Sequence, residues 1–424
     1  MTFDSFTEAH GMILWLAFAA AFIMGAVANK TNFCTMGAVS DLVNMGDTGR
    51  IRAWIFAMTV AILGVALLEY FNVFSVDTSR PPYRGSSFAW LEYVIGGILF
   101  GVGMTLGSGC GNKTLVRIGG GNIKSIFVFI VISVCAYFMV NPFPGTDDTI
   151  YSLIFYPWTN PTTIALSGHQ DIGTVIGGVE NAHTVRFIVA MILSAILLFY
   201  VFKSSDFRNS FDNKLGGLVI GLAVIAGWYI STSAFQINAD GETYSWSKYA
   251  STDVWSMLQE GKVPSGIAAQ SYTFINPIGE MAGYAVQAGG IEGMRGNTLT
   301  FGMMAVFGVI LGSFLWALIS RGFRIEWFVS GKDFLTHLLG GILMGIGGIL
   351  ALGCTIGQAV TGVSTLALGS FLAFASIVFG SAMTMKIQYY KLVYEDEATF
   401  MKAFVTALVD MKLLPGSMRK LEAV

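Results

Sequence analysis

GGILFGVGMTLGSGC, residues 96–110, is matched without a gap by GGILMGIGGILALGC, residues 340–354; nine of the 15 positions are identical, including the closing Gly-Cys. The same offset sets Gly64 against Gly308. Glycine inside an apolar run lets helix backbones approach closely, a common device where helices pack in lipid. The match therefore reads as an internal duplication of membrane helices. Charge supports the membrane reading. Residues 187–202, 215–239, 296–320 and 334–385 contain no Asp, Glu, Lys or Arg. A bilayer core needs roughly 20 apolar residues as a helix. Of the whole 424-residue chain, only 12% is charged and 54% hydrophobic. A soluble fold is excluded on those grounds, and the net charge of -2 gives no reason to expect a nucleic-acid partner.

Nine spans are the simplest count, near 11–29, 53–71, 90–109, 123–140, 185–202, 215–231, 299–320, 334–353 and 368–385. The fold class expected is an all-α integral membrane protein of about nine transmembrane helices with short re-entrant or broken helices. Basic residues mark cytoplasmic loops. Arg50 and Arg52, then Lys113, Arg117 and Lys124, then Lys203, Arg208 and Lys214, then Arg321, Arg324 and Lys332 fall in alternate connections. That pattern predicts a periplasmic N-terminus, a cytoplasmic C-terminus and long outer loops at 141–184 and 232–298. It also makes the two repeats run in opposite directions, an inverted arrangement in which transporters place substrate between the halves. The expected division is a first half over 1–202, a second, inverted half over 203–385 and a cytoplasmic tail over 386–424. The start, MTFDSFTEAHGMILW, lacks the basic region of a secretory signal, so the first span is expected to be retained.

Four segments are too broken for full spans: 32–46, 109–121, a weakly apolar stretch near 272–290, and 353–369. Irregular backbone at membrane depth survives only where protein or a wet cavity satisfies it. Half-helices there would present free N–H groups and a positive dipole end, which suit an anion. Cys34, Cys110 and Cys354 open three of the four. A thiol offers a weak donor and a polarizable acceptor without a fixed charge. Several weak sites in series allow passage rather than trapping. These three cysteines are the candidate substrate path, with neutral thiols expected at rest. Gly109, Gly353, Asn112, Lys113, Thr355, Gln358 and Asp41 are the candidate supports. Asp41 would cap or brace the first broken helix, and Lys113 would set topology or attract anions. Cys135, in mid-span, reads as a structural residue, and His337 as a helix-to-helix hydrogen-bonding group. GSGCGNKT (107–114) is a near miss for a phosphate loop, with Asn112 where glycine is needed and a membrane helix before it rather than a strand. No cofactor, metal or catalytic group is expected.

These residues resemble the YeeE/YedE family of bacterial sulfur-compound transporters. The likeness rests on Phe33, Cys34, Gly37 and Asp41, on Gly109-Cys110, and on Gly353-Cys354-Thr355-Ile356-Gly357, and it extends over about residues 12 to 385. It implies a nine-span inner-membrane fold that takes up thiosulfate. It also implies that Cys34, Cys110 and Cys354 pass the ion inward through S–H···S hydrogen bonds without ATP, and that a small cytoplasmic TusA-like sulfur carrier cooperates. The long outer loops, the tail and Ile278, which stands where the repeat would place a partner of Cys34, depart from or qualify the pattern. Two other readings stay open: a membrane-embedded sulfurtransferase using one activated cysteine, and a transporter of a selenium compound or sulfite.

Overall fold

The computed structural model describes residues 1–249, 251–258, 267–287 and 299–422. Parts of the expected 232–298 loop and of the 272–290 stretch, and the last residues of the tail, lie outside the described residues. Among the described residues, nine helices are long and apolar enough to cross a bilayer. They are Phe6–Lys30, Gly49–Tyr70, Trp90–Leu106, Ile123–Val140, Ile172–Lys203, Phe211–Thr232, Phe301–Ile319, Gly331–Leu350 and Leu368–Val393, here called the first to ninth spans. Ile192, Phe199, Leu315 and Ile319 point outward from them. Such an apolar exterior is stable only against lipid, and the backbone groups are satisfied inside each helix. The chain is a multi-pass membrane protein.

Side-chain caps set several span starts. Asn122, Asp171, Ser210, Thr300 and Ser330 each accept a hydrogen bond from the backbone three residues on. The third span packs on the eighth and ninth, the eighth also on the fourth, the first on the seventh, and the second on the sixth. The repeated glycines make the central contact. A Cβ on Gly96 would lie 2.8 Å from the Gly347 carbonyl oxygen, and one on Gly340 would lie 2.8 Å from that of Gly103. The 244-residue offset of the duplication interchanges those two contacts. Reciprocal contact of this kind is the mark of a two-fold relation. The fifth span packs on the second and has no counterpart in the scheme.

Several boundaries differ from expectation. A short helix over 172–177 ends at Gly178 (φ 71°) and folds back on the fifth span, since a Cβ on Gly173 would lie 2.8 Å from Arg186 N; the span proper begins after that break, a few residues before the expected 185. Glu180, Asn181 and His183 just after the break are polar enough to read as loop. The ninth span runs on to Val393, and the tail forms a further helix over Phe400–Asp410. Small strands depart from a purely helical fold. Thr2–Phe3 pairs in parallel with Gln236–Ala239, which forms a hairpin with Glu242–Ser245, and Ser87–Phe88 pairs with Ile164–Ala165. All of them lie outside the apolar runs.

Candidate functional site

Four short helical segments meet inside the bundle: Thr35–Ser40, continued as a π-helical turn over Asp41–Met45; Gly111–Gly119; Ile275–Gln287; and a π-helical turn over Ile356–Gly362. Three of them are entered in the same way. Asn32, Ser108 and Leu352 hold positive φ angles of 51°, 59° and 56°. Each stands two residues before a cysteine: Cys34, Cys110 and Cys354. The same left-handed turn closes other helices, at Asn72, Arg321 and Lys412, so at these three places it marks the end of the preceding span. The chain reverses, extends through the cysteine, and starts a new helix. Cys34 and Cys110 are the N-cap residues.

All three thiols are enclosed, at 4%, 1% and 0% exposure for Cys34, Cys110 and Cys354. They form a row. Cys34 is within electrostatic range of Cys110, Cys110 of Cys354, and Cys354 of the Tyr83 hydroxyl. Gly111 holds two of them together, since a Cβ there would lie 3.7 Å from Cys354 Cβ and 3.0 Å from Ile275 Cδ1. The outer two sulfurs are tied to their own helices: Cys34 Sγ accepts from the Gly37 N–H and Cys354 Sγ from the Gly357 N–H, each at 3.5 Å. Cys110 makes no such capping bond.

Around this row lie buried polar atoms with no hydrogen-bond partner: the hydroxyls of Thr35, Thr355, Thr273 and Tyr83, Asn112 Oδ1 and Gln358 Oε1. Thr35 and Thr355 flank Cys110, yet neither reaches normal hydrogen-bond geometry. An unpaired buried polar group costs about 1–3 kcal/mol. Among the described residues such groups are concentrated beside the three thiols.

The remaining candidates are placed as follows. Asp41 accepts from Arg50 Nη2 at 2.6 Å and pairs with Arg50 Nε as well, bracing the Cys34 segment. Gly37 makes room for that guanidinium, which a Cβ would meet at 2.3 Å. Lys113 donates to Asn32 Oδ1 at 2.6 Å, near the Cys34 end of the row. Its side chain folds back over Gly109, where a Cβ would lie 3.0 Å from Lys113 Cγ. Gln358 Nε2 donates to the Ala351 carbonyl, and Gly353 leaves space beside the Thr273 hydroxyl. Ile278, the repeat counterpart of Cys34, is fully buried and offers no sulfur. Cys135 packs against Gly345 of the eighth span. His337 bonds its own helix, at the Asp333 carbonyl oxygen, rather than another helix.

Sequence reasoning missed Thr35, Thr273 and Tyr83. For Thr35 there was a signal. Cys34-Thr35-Met36-Gly37 and Cys354-Thr355-Ile356-Gly357 share the pattern Cys-Thr-x-Gly, and both make the same Sγ to Gly N–H bond. Tyr83 lies in the connection between the second and third spans, distant in sequence from every cysteine motif.

The fold and the site define a multi-pass membrane protein with an enclosed row of thiols at broken helices. The chain belongs to the sulphur transport family, whose family model matches residues 30–383. Two relatives match over 377 residues. A thiosulfate transporter, TsuA, of Spirochaeta thermophila is 23% identical, with 87% of this chain and 97% of the relative covered. The TsuA thiosulfate transporter of Escherichia coli is 22% identical, with 84% and 90% covered.

Proposed function

We propose that this protein takes up thiosulfate, or a closely related soft sulfur anion, across the bacterial inner membrane and releases it unchanged. The observation that carries the reading is the row of three enclosed thiols ringed by unpartnered hydroxyls and amides. Thiosulfate has two chemically different ends, and the row suits both. Its terminal sulfur is soft and accepts weak S–H hydrogen bonds, while its sulfonate oxygens accept stronger ones from hydroxyl and amide donors. Thr35 and Thr355 beside Cys110 would hold the oxygens while Cys110 holds the sulfur. Cys34 and Cys354 then serve as the neighbouring footholds.

The charge pattern supports an outer N-terminus and an inner C-terminus. The Tyr83 end of the row is then the entrance, and the Lys113 end leads to the cytoplasm. The halves 1–202 and 203–385 close over the row from opposite faces, and the tail 386–424 lies inside, where a TusA-like carrier would receive the product. The test is growth of a sulfate-uptake-deficient bacterium on a panel of sulfur sources, with Cys34→Ala, Cys110→Ala and Cys354→Ala as controls. Rescue by thiosulfate that Cys110→Ala abolishes supports the reading. Equal rescue by Cys110→Ala refutes the thiol path. Rescue only by sulfite, or uptake only of a selenium compound, reassigns the substrate.

A further inference from the structure

Just outside the Tyr83 end lies a compact ion network. Arg84, 1% exposed, is gripped by Glu69 through two bonds of 2.7 Å. Its Nε donates to the Thr365 carbonyl oxygen at 2.9 Å, which ties it to the chain just beyond the Cys354 segment. Arg186 is held in the same way by Asp171, at 2.8 and 2.9 Å, and also reaches Thr174 Oγ1. Each guanidinium therefore has its own bidentate carboxylate. A third carboxylate is shared: Asp77 Oδ1 lies 3.0 Å from Arg84 Nη1 and 3.1 Å from Arg186 Nη1, with His169 Nε2 at 4.0 Å. Among the described residues, Asp77 Oδ2 accepts from the neighbouring Ser75 hydroxyl at 3.0 Å. A narrow cleft lined by Glu69, Arg84, His183, Arg186 and Ser364 runs beside the pair of arginines, with room for about one water molecule, and Asp77 is not on its lining.

The three carboxylates differ in how firmly they are seated. Asp171 is 0% exposed and Glu69 11%, whereas Asp77 is 32% exposed. Asp77 sits on the connection between the second and third spans, the same stretch that delivers Tyr83 to Cys354. Without Asp77, two fixed Nη1 donors converge on one point with no acceptor between them, while Glu69 and Asp171 still balance the two guanidinium charges. An oxygen of a compact oxyanion fits that point as the Asp77 oxygen does.

We propose that Arg84 and Arg186 form the outer seat for the travelling anion, and that Asp77 occupies the seat as a built-in substitute which the anion displaces on entry. This rests on the uptake reading for the direction of travel. The seat itself recognises charge and oxygen geometry, so it accepts sulfate as readily as thiosulfate; selection for sulfur falls to the thiols further in. Displacement frees the connection carrying Asp77 and Tyr83, and so couples occupancy of the seat to access to Cys354.

The test is radiolabelled thiosulfate binding to the purified full-length protein. Asp77→Asn and Asp77→Ala should each bind about tenfold more tightly than the unaltered protein, because the anion no longer competes with a charge-assisted pair. The same tightening should appear when Asp77→Asn is combined with Cys110→Ala, whatever happens to uptake, which separates the seat from the thiol path. In the unaltered protein, sulfate should compete with thiosulfate for binding. Unchanged or weaker binding by an Asp77 variant that melts normally overturns the proposal, and so does the absence of sulfate competition.

Discussion

The thiol row and the outer ion network face the same problem, polar groups buried in an apolar bundle, and meet it in opposite ways. In the network every guanidinium hydrogen bond described above ends on a carboxylate, a carbonyl or a hydroxyl. In the row, six polar side-chain atoms have no partner. A saturated cluster lowers the energy of the structure as it stands. An unsaturated one raises it and lowers the energy of whatever binds. The difference separates a cluster whose donors are already filled by the chain's own carboxylates from one whose polar atoms hold no such stand-in. It also states which substitutions should damage folding and which should damage transport.

The largest effect belongs to the row. Cys110→Ala removes the thiol that neighbours both others and should reduce uptake by at least about a hundredfold, more than the loss of one directed contact in water would explain, because no solvent replaces the lost foothold. Its melting temperature should stay within a few degrees of the unaltered protein, since a small apolar side chain fills the site almost as well. Radiolabelled uptake and thermal melting of the same preparation check both halves of that statement. Normal uptake by this variant would erase the distinction between the two regions.

The next effect is the converse. Glu69→Ala leaves Arg84, 1% exposed, without its bidentate partner. Breaking a buried pair costs up to about 3–5 kcal/mol, and although the Asp77 contact at 3.0 Å leaves Arg84 partly paired, the variant should melt well below the unaltered protein in detergent. A loss as small as that of an exposed surface pair would show that water reaches Arg84 and that the network is not a closed cluster.

The helical architecture was legible because lipid imposes a length and an apolar composition on each span. The ninefold count and the placement of the broken segments follow from that constraint alone. The glycine contacts were legible because close packing demands glycine at fixed positions, as at Gly96, Gly103, Gly340 and Gly347. The cysteines could be singled out because three of them sit at breaks. Their neighbours could not, because Tyr83 and Thr273 arrive from connections whose positions depend on the whole fold. The short helix that folds back on the fifth span at Gly178 was hidden by the polar residues around the turn. The network of Glu69, Asp77, Arg84, Asp171 and Arg186 left no trace either. Its members are spread over more than a hundred residues of sequence and meet only in three dimensions.

Acid should loosen the network. Burial acts to raise the Asp171 carboxyl, but the Arg186 hydrogen bonds and the Arg84 charge outweigh it and hold the group below its usual range. Asp77 behaves alike: burial opposes, and Arg84 and Arg186 prevail. A carboxylate depressed in the folded state adds stability above its unfolded pKa of about 3.9, and that stability is lost as pH falls through the lower folded value. The melting temperature should therefore fall as pH drops below about 4. Asp171→Asn should start lower at neutral pH and show a shallower fall. Identical pH profiles for the two proteins would remove these carboxylates as the cause.

Thr355→Val is the smallest perturbation and the sharpest test of the contrast. It exchanges a hydroxyl for a methyl of nearly equal size. At a saturated position such a change breaks a hydrogen bond and costs about 1 kcal/mol. The Thr355 hydroxyl has no partner in the resting protein, so nothing is broken and an unsatisfied group is removed. The variant should be as stable as the unaltered protein or more stable by up to about 1 kcal/mol. Uptake should nevertheless fall about tenfold, the value of one hydroxyl-to-oxyanion bond lost from the bound state. Stability and transport would then move in opposite directions from a single atom. A loss of stability together with unchanged uptake would make Thr355 an ordinary packing residue and return the unpaired hydroxyls to the status of uncompensated strain.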